Sequence, residues 1–340
     1  MNLNFHTSLT QVLLIEDRTQ ASYATRRVRI AAERIGFDAN DTCRVELCVD
    51  ELAKTILTGK MGGELHIRIL PGGDPGIEIV ALYLSSASEL QPPIPDGFST
   101  RLEGEVAHSI QHNTEVLDTY SDHRGTVILT RFYPRSAIVR DVRLGISQHA
   151  LRDDPACGDV WEIAIQGKRV SMLMIDGLGH GPDAESAAMA GAREFNRDPF
   201  AEPVLLLEEI HQEMHGTRGG VVAIAQFDAA QDRLRFLGIG DIGAILIGQE
   251  KSRGLVSYPG IVGHRHRKGV VANIVGCAGQ LLILFSDGLK SRWDLHDYPG
   301  LLHRHPAVIA AVLNRDYRRG TDDVTVMVMT LEAVECVSSI

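Results

Sequence analysis

Cysteine is scarce and scattered. The 340-residue chain holds five, Cys43, Cys48, Cys157, Cys277 and Cys336, an odd number with no CxxC pair and no Cys/His cluster. That spacing argues against a disulfide framework and against a zinc site. Cys43 and Cys48 fall on an expected helix, where a small buried hydrophobe is the simpler use. Long apolar runs are lacking too. No stretch of roughly 18 apolar residues occurs, and the N-terminal MNLNFHTSLTQVLLIED carries no basic region followed by a long apolar core. A cytoplasmic protein without membrane association is the expectation. Positive charge is also in short supply, with 34 Lys and Arg against 44 Asp and Glu, for a net charge of −10. Nucleic acid is therefore an unsuitable partner, since phosphate backbones are held by clustered Lys and Arg. An acidic chain that handles phosphate would more naturally do so through a metal ion.

What is present falls into two halves with different rhythms. The first alternates strand, helices and strands. TQVLLIED reads as a short strand, and ASYATRRVRIAAERIGF has helical spacing that stops at Gly36. NDTCRVELCVDELAKTILTG reads as a helix capped at Asn40/Asp41, with Val45, Val49, Leu52 and Ile56 on one face and a stop at Gly59. The runs ELHIRIL, GIEIVALYL and GTVILTRFY follow as strands, with the Ser- and Pro-rich SSASELQPPIPDGFST as a loop between the last two. The pattern changes around residues 135–142, which predicts domains over 1–135 and 142–335. Seven β-type runs then appear, from VWEIAIQ to DVTVMVMTL, interrupted by helical stretches at about 183–196, 202–214 and 305–315. Several of these runs are apolar at nearly every position, as strands covered on both faces must be. Two packed β-sheets with helices outside are expected.

Within the second half one arrangement recurs. An acid stands where an apolar strand meets a loop: Asp159 before VWEIAI, Asp176 after VSMLMI and Asp287 after LLILFS, each beside a glycine. Asp322-Asp323 stands just before VTVMVM without one. Asp and Gly favour turns in any protein, so a single pair says little. Four together, each against a strongly apolar strand, point to carboxylates converging at one sheet edge. Such acids cannot stay ionised side by side without a counter-charge, and an all-oxygen donor set selects hard cations such as Mg²⁺ or Mn²⁺. A two-metal hydrolytic centre is the chemistry that fits. Gly177 could present a backbone carbonyl to a metal and leave room for a phosphorylated substrate. His180 either hydrogen-bonds to the reacting groups or orders its loop.

The ordered set GDVWEI, DGLGHG with DAESAA, TRGGVVAIAQFD, GIGDIGA, FSDGLKSRW and TDDVTVMV resembles the metal-dependent type-2C (PPM) serine/threonine phosphatases of the SpoIIE/RsbX branch, over roughly residues 143–331. The resemblance implies an α+β fold whose C-terminal part is an αββα sandwich. It also implies two Mn²⁺ or Mg²⁺ ions and direct attack by an activated water on phosphoserine or phosphothreonine. It assigns the metals to Asp159, Asp176, the carbonyl of Gly177, Asp287 and Asp322, with Asp322 preferred to Asp323. His180 and Asp323 would lie just behind them. Gly240 and Asp241 match a recurrent turn of the family.

CVDELAKTILTG in the first half is similar to the ATP-binding helix of GHKL kinases of the RsbT/RsbW kind, which implies a two-layer α/β sandwich there. Glu51 matches the general base of that family, but Thr55 stands in place of the Mg²⁺-binding Asn. The expected Asp-x-Gly-x-Gly turn is replaced by SSASEL, and of the glycine-rich lid only Gly104 remains in STRLEGEVAHSI. Gly125-Thr126 survives from the closing strand motif. A pseudokinase-like module that does not bind ATP follows, because phosphate charge is poorly held without a metal or backbone donors. Together the resemblances imply a phosphatase acting on a phosphorylated STAS-type protein, an anti-sigma antagonist or stressosome subunit, in a bacterial partner-switching pathway. The first half would dock partners, regulate the catalytic half, or join two copies as a homodimer. A non-catalytic binding protein and a bifunctional kinase-phosphatase are the alternatives. The first conflicts with four retained carboxylates, the second with Thr55 and the missing glycine turn.

Overall fold

Strand β1 (Asn2–His6) does not stay with the residues that follow it. It pairs antiparallel with β8 (Asp159–Gln166), from Asn2 opposite Gln166 to His6 opposite Glu162. A computed structural model describes residues 2–6, 8–59, 61–70, 74–84, 105–135 and 142–333. The chain groups into two units: Met1–Leu9, Val142–Trp293 and Leu313–Ile340 form one, and Thr10–Asp141 with Asp294–Val312 the other. The single division expected between 135 and 142 is thus not the only crossing. The β1 pairing carries the N-terminus into the larger unit. Residues 294–312 join the smaller one, where Asp118 accepts from the His305 backbone N–H at 2.5 Å and pairs with Arg304 at 3.3 Å.

The smaller unit holds β2 (Gln11–Ile15), α1 (Arg18–Arg34), α2 (Ala39–Thr58), β3 (Gly63–Leu70), β4 (Gly76–Tyr83), α3 (Glu105–Asn113), β5 (Val116–Asp122) and β6 (Gly125–Phe132). Its strands form one antiparallel sheet in the order β2-β3-β4-β6-β5. Val28, Val45, Val49, Leu52 and Ile56 of the helices pack on Leu65, Ile67, Ile77, Ile79 and Phe132 of the sheet. The α2 cap differs from expectation. Asp38 is the cap and accepts the Asp41 backbone N–H at 2.7 Å, while the Asp41 carboxylate accepts from Arg44. An acid already paired with a guanidinium is not available to the helix end. The loop at 85–100 and Gly104 lie outside the described residues, and EVAHSI, expected as lid remnant, begins α3.

In the larger unit β7 (Leu144–His149) and β8 are followed by β9 (Arg169–Gly177), α4 (Pro182–Phe195), α5 (Pro203–Glu213), β10 (Gly220–Asp228), β11 (Arg233–Ile239) and β12 (Gly243–Ile247). Short strands β13 (Ser252–Gly254), β14 (Ser257–Tyr258), β15 (Gly260–Ile261), β16 (Arg265–His266) and β17 (Ala272–Val275) precede β18 (Leu281–Phe285) and β19 (Val324–Thr330), and α6 (Pro306–Tyr317) begins in the smaller unit and ends in this one. One sheet runs β1-β8-β9-β10-β11-β14, with β17 also on β11; the other runs β13-β12-β18-β19-β7. Trp161, Met172, Phe227 and Phe236 of the first meet Ile146, Leu282, Leu284 and Met327 of the second in one core. On its other face the larger sheet packs Leu173, Ile175, Val222 and Ile224 against Phe195, Leu206 and Ile210 of α4 and α5. Burial on both faces is why the middle stretches of these strands are apolar at nearly every position. The expected sheet-on-sheet body with outer helices is present. Among the described residues no helix is long and apolar enough to cross a membrane.

Candidate metal centre

β8 begins at Asp159 and β9 ends in Asp176-Gly177, and the antiparallel register sets Asp159 directly opposite Asp176. Side chains of directly opposed residues share a sheet face about 5 Å apart. The Gly177 backbone N–H donates to the Gly158 carbonyl at 3.0 Å, closing that edge. Gly177 has a steric reason to be glycine: a Cβ there would lie 2.2 Å from the Ala184 carbonyl oxygen in α4. Gly179 and Gly181 adopt φ of +84° and +79°, a region glycine enters without strain. The sequence reads Gly177 as leaving room for substrate; the structure also gives it this packing role against α4.

Asp287 and Asp322 arrive from the second sheet, one just after β18 and the other just before β19, which pair antiparallel. Gly288 makes their approach possible, since a Cβ on it would meet the Asp323 carbonyl oxygen at 1.9 Å. The two acids of the DD pair have different work. Asp323 is buried, and its carboxylate accepts from the Leu151 and Gly158 backbone N–H groups at 2.7 and 2.6 Å. It therefore pins the residue before Asp159. Asp322 is half-buried and accepts the Asp323 backbone N–H through Oδ1 at 2.9 Å.

Asp159 is the most enclosed acid, 1% exposed. Its Oδ2 accepts from the Ser286 hydroxyl at 2.7 Å, Ser286 Oγ accepts from the Thr325 N–H at 2.9 Å, and its Oδ1 is buried with no hydrogen-bond partner. A buried, unpartnered carboxylate oxygen is costly unless something positive completes it. Burial, opposed by the nearby Ser286 and Thr325 hydroxyls and reinforced by the charges of Asp323 and Asp322, pushes Asp159 up to about 7. Asp176 is pushed up to about 9 by burial and then by Asp159, Asp287, Asp322 and Asp241. Asp287 is raised by burial, Asp322 and Asp241, with Arg319 pulling the other way. The four strand-end acids are thus brought to one place and repel one another.

Asp241 belongs with them electrostatically. It follows Gly240, whose φ of +94° turns the chain between β11 and β12. The rule that found the others, an acid where an apolar strand meets a loop, also covers Asp241, which adjoins a glycine as Asp159, Asp176 and Asp287 do. His180 is exposed in the loop before α4. Arg319 gave no sequence signal; its backbone N–H donates to the Gly288 carbonyl at 2.9 Å, which sets it beside Asp287.

The donor set fits a hard divalent cation: all oxygen, one orphaned carboxylate atom, and acids raised for want of positive charge. Among the described residues no group of three His, Cys, Asp or Glu side chains is close enough to hold one ion. Mg²⁺ is commonly held by one or two carboxylates and keeps several waters, so a full protein cage is not required.

No family model and no curated protein sequence matches the chain. Solved structures do. A structure from work on the bacterial stressosome is 25% identical, covering 54% of this chain and 97% of that one at a TM-score of 0.51. RsbX in complex with magnesium is 17% identical, covering 63% and 98% at 0.49. The PP2C phosphatase domain of SpoIIE from Bacillus subtilis, with a fragment of its regulatory domain, is 16% identical, covering 93% and 94% at 0.48. The last two, with TM-scores below 0.5, are likenesses from which nothing is argued. Over the 54% of the chain that it covers, the fold is shared with that stressosome-related structure.

Proposed function

We propose that this chain is a metal-dependent protein serine/threonine phosphatase whose centre is Asp159, Asp176, the Gly177 carbonyl, Asp287 and Asp322. One observation carries the reading: Asp159 and Asp176 face each other across two strands, raised in pKa, with Asp159 Oδ1 left unpartnered. These residues would hold two Mn²⁺ or Mg²⁺ ions. When bound, the ions supply a nucleophile at neutral pH and neutralise phosphoryl oxygens. The protein's own part is to hold and orient. Ser286 fixes the rotation of the Asp159 carboxylate, and Asp323 anchors the backbone just before it. Asp322 is preferred over Asp323 because both Asp323 oxygens are committed to backbone N–H groups. Arg319, exposed beside Asp287, is placed to receive a phosphoryl oxygen.

The substrate we propose is a phosphorylated STAS-type protein in a partner-switching system, supported by the likeness to the stressosome structure. The smaller unit is proposed as a docking or regulatory module without ATP. Thr55 Oγ1 donates to the Glu51 carbonyl at 2.8 Å, and Glu51 pairs with Lys54 at 2.9 Å. Both side chains of the former nucleotide helix are thus engaged elsewhere.

The test incubates the full chain with Mn²⁺ and a phosphorylated STAS protein, then with Mg-ATP. Released phosphate that disappears in Asp287→Asn and Asp322→Asn, but persists at reduced level in Asp323→Asn, is the expected result. Full activity in the first two variants overturns the centre, and micromolar Mg-ATP affinity overturns the reading of the smaller unit.

A further inference from the structure

In a chain short of positive charge, three arginines share one pocket at the other end of β9 from Asp176. The pocket is a cavity of ≈ 180 Å³ lined by Arg169, Arg233 and Arg235 with Asp228, Gln226 and Phe200. The register explains the convergence. Asp228 of β10 lies opposite Arg169 of β9 and Arg233 of β11, and Gln226 lies opposite Arg235, so all point to one face. The alternate residues Val170, Phe227 and Leu234 face the inter-sheet core. The arginine face is the one that α4 and α5 cover farther along the strands, through Leu173, Ile175, Val222 and Ile224. Here the helices give way to their connection, residues 196–202.

The pocket is built, not merely exposed. Gln226 is buried and donates to the Pro199 and Ala201 carbonyls at 3.2 and 2.8 Å, which presents its Oε1 to Arg235. Arg169 donates to Gln166 and stacks its guanidinium 4.7 Å from the Phe200 ring centre. Those acceptors are neutral amides. The Arg233 side chain makes no hydrogen bond or ion pair among the described residues. The one carboxylate, Asp228, spends Oδ1 on the Ala230 and Gln231 backbone N–H groups at 2.9 and 3.3 Å. Three guanidinium groups against one carboxylate leave two positive charges held together without compensation, which like-charge repulsion disfavours.

We infer that this pocket binds a phosphate-class dianion, either free or as a phosphomonoester. A dianion matches the uncompensated charge, and guanidinium forks match phosphate oxygens in bidentate geometry. The volume lies below that of drug-sized ligand pockets, which run about 300–1,000 Å³, and suits a tetrahedral oxyanion. Asp176 lies seven positions along β9 from Arg169, about 24 Å of extended strand, so the two sites are distinct. The inference does not depend on the proposed phosphatase activity.

The test titrates the full chain with inorganic phosphate by calorimetry, in chelator so that the acid centre carries no cation, with chloride holding ionic strength constant. Saturable binding is expected, weakened on the order of tenfold in Arg233→Ala and in Arg235→Ala. Arg233→Lys should weaken it less, and Arg253→Ala, an exposed arginine on β13, should leave it unchanged. Phosphoserine binding as tightly as inorganic phosphate identifies a phosphomonoester as the occupant, and binding of phosphate alone identifies the free ion. Wild-type affinity in both alanine variants, or equal heat with chloride alone, overturns the inference. Thermal melts confirm that each variant is folded.

Discussion

Each unit buries carboxylates on adjacent antiparallel strands, and the two do opposite things with them. In the smaller unit Glu78 of β4 stands opposite Arg68 of β3 and Arg131 of β6, with Nη2 distances of 2.6 and 2.7 Å. Burial alone would raise its pKa, but the two guanidinium groups outweigh that and hold it below the usual carboxylate range. In the larger unit Asp159 and Asp176 are opposed across β8 and β9, and both are raised. The geometry is the same; the partners differ. A buried acid whose counter-charges are built in stays ionised, whereas one that faces only other acids is pushed toward its neutral form unless positive charge is supplied.

Removing the built-in charge should cost most. Glu78→Gln leaves Arg68 and Arg131 buried with no carboxylate between them, and about 3–5 kcal/mol of stability should be lost. Denaturant unfolding of the full chain measures it; an unchanged midpoint would show that the cluster is solvated. Next comes the support of the acid centre. Ser286→Ala removes the hydroxyl that orients Asp159, and the Mn²⁺ needed for half-maximal turnover should rise about 10–100-fold while the fold survives. An unaltered Mn²⁺ requirement would mean that Ser286 is only packing.

The smallest effect has the opposite sign to the first. Asp176→Asn in metal-free protein removes one of several mutually repelling acids, so stability at pH 8 should rise by on the order of 1 kcal/mol. The pH dependence follows the same logic. The folded pKa of Asp176, about 9, lies above its unfolded value near 3.8. The folded state therefore binds more protons between them, and the metal-free protein loses stability as pH rises through that window. Glu78 contributes with the other sign: its stabilisation is present above the ordinary carboxylate pKa and lost as pH falls. Melts from pH 4 to 9 with and without Mn²⁺ separate the two. A metal-free melting temperature that climbs over the upper half of that range would break the comparison.

The acid centre was legible because its residues obey a local rule. An Asp at the end of an apolar strand must leave the core, and glycine beside it permits the close chain approach that Gly177 and Gly288 show. The same rule covers a fifth acid, Asp241, whose charge acts on both Asp176 and Asp287. Arg319 obeys no such rule; a backbone contact with Gly288 puts it there. The arginine pocket was illegible for a related reason. Arg169, Arg233 and Arg235 come from separate strands, and only the register of β9, β10 and β11 aligns them. The short, polar-alternating β1 gave little sign of pairing more than 150 residues away.

The order of residues alone shows which strands are buried on both faces, where acids leave the core, and that those acids would repel one another if ionised together. Such features depend on a residue and its near neighbours: side-chain polarity, the two-residue period of a strand and the freedom of glycine. Tertiary structure decided which of Asp322 and Asp323 is bound to backbone N–H groups and that Glu78 has its counter-charges while Asp176 does not. It also decided that residues 294–312 pack with the smaller unit. Each of those outcomes is a pairing across the chain, and charge neutralisation and hydrogen bonding act over a few ångströms of space whatever the separation in sequence.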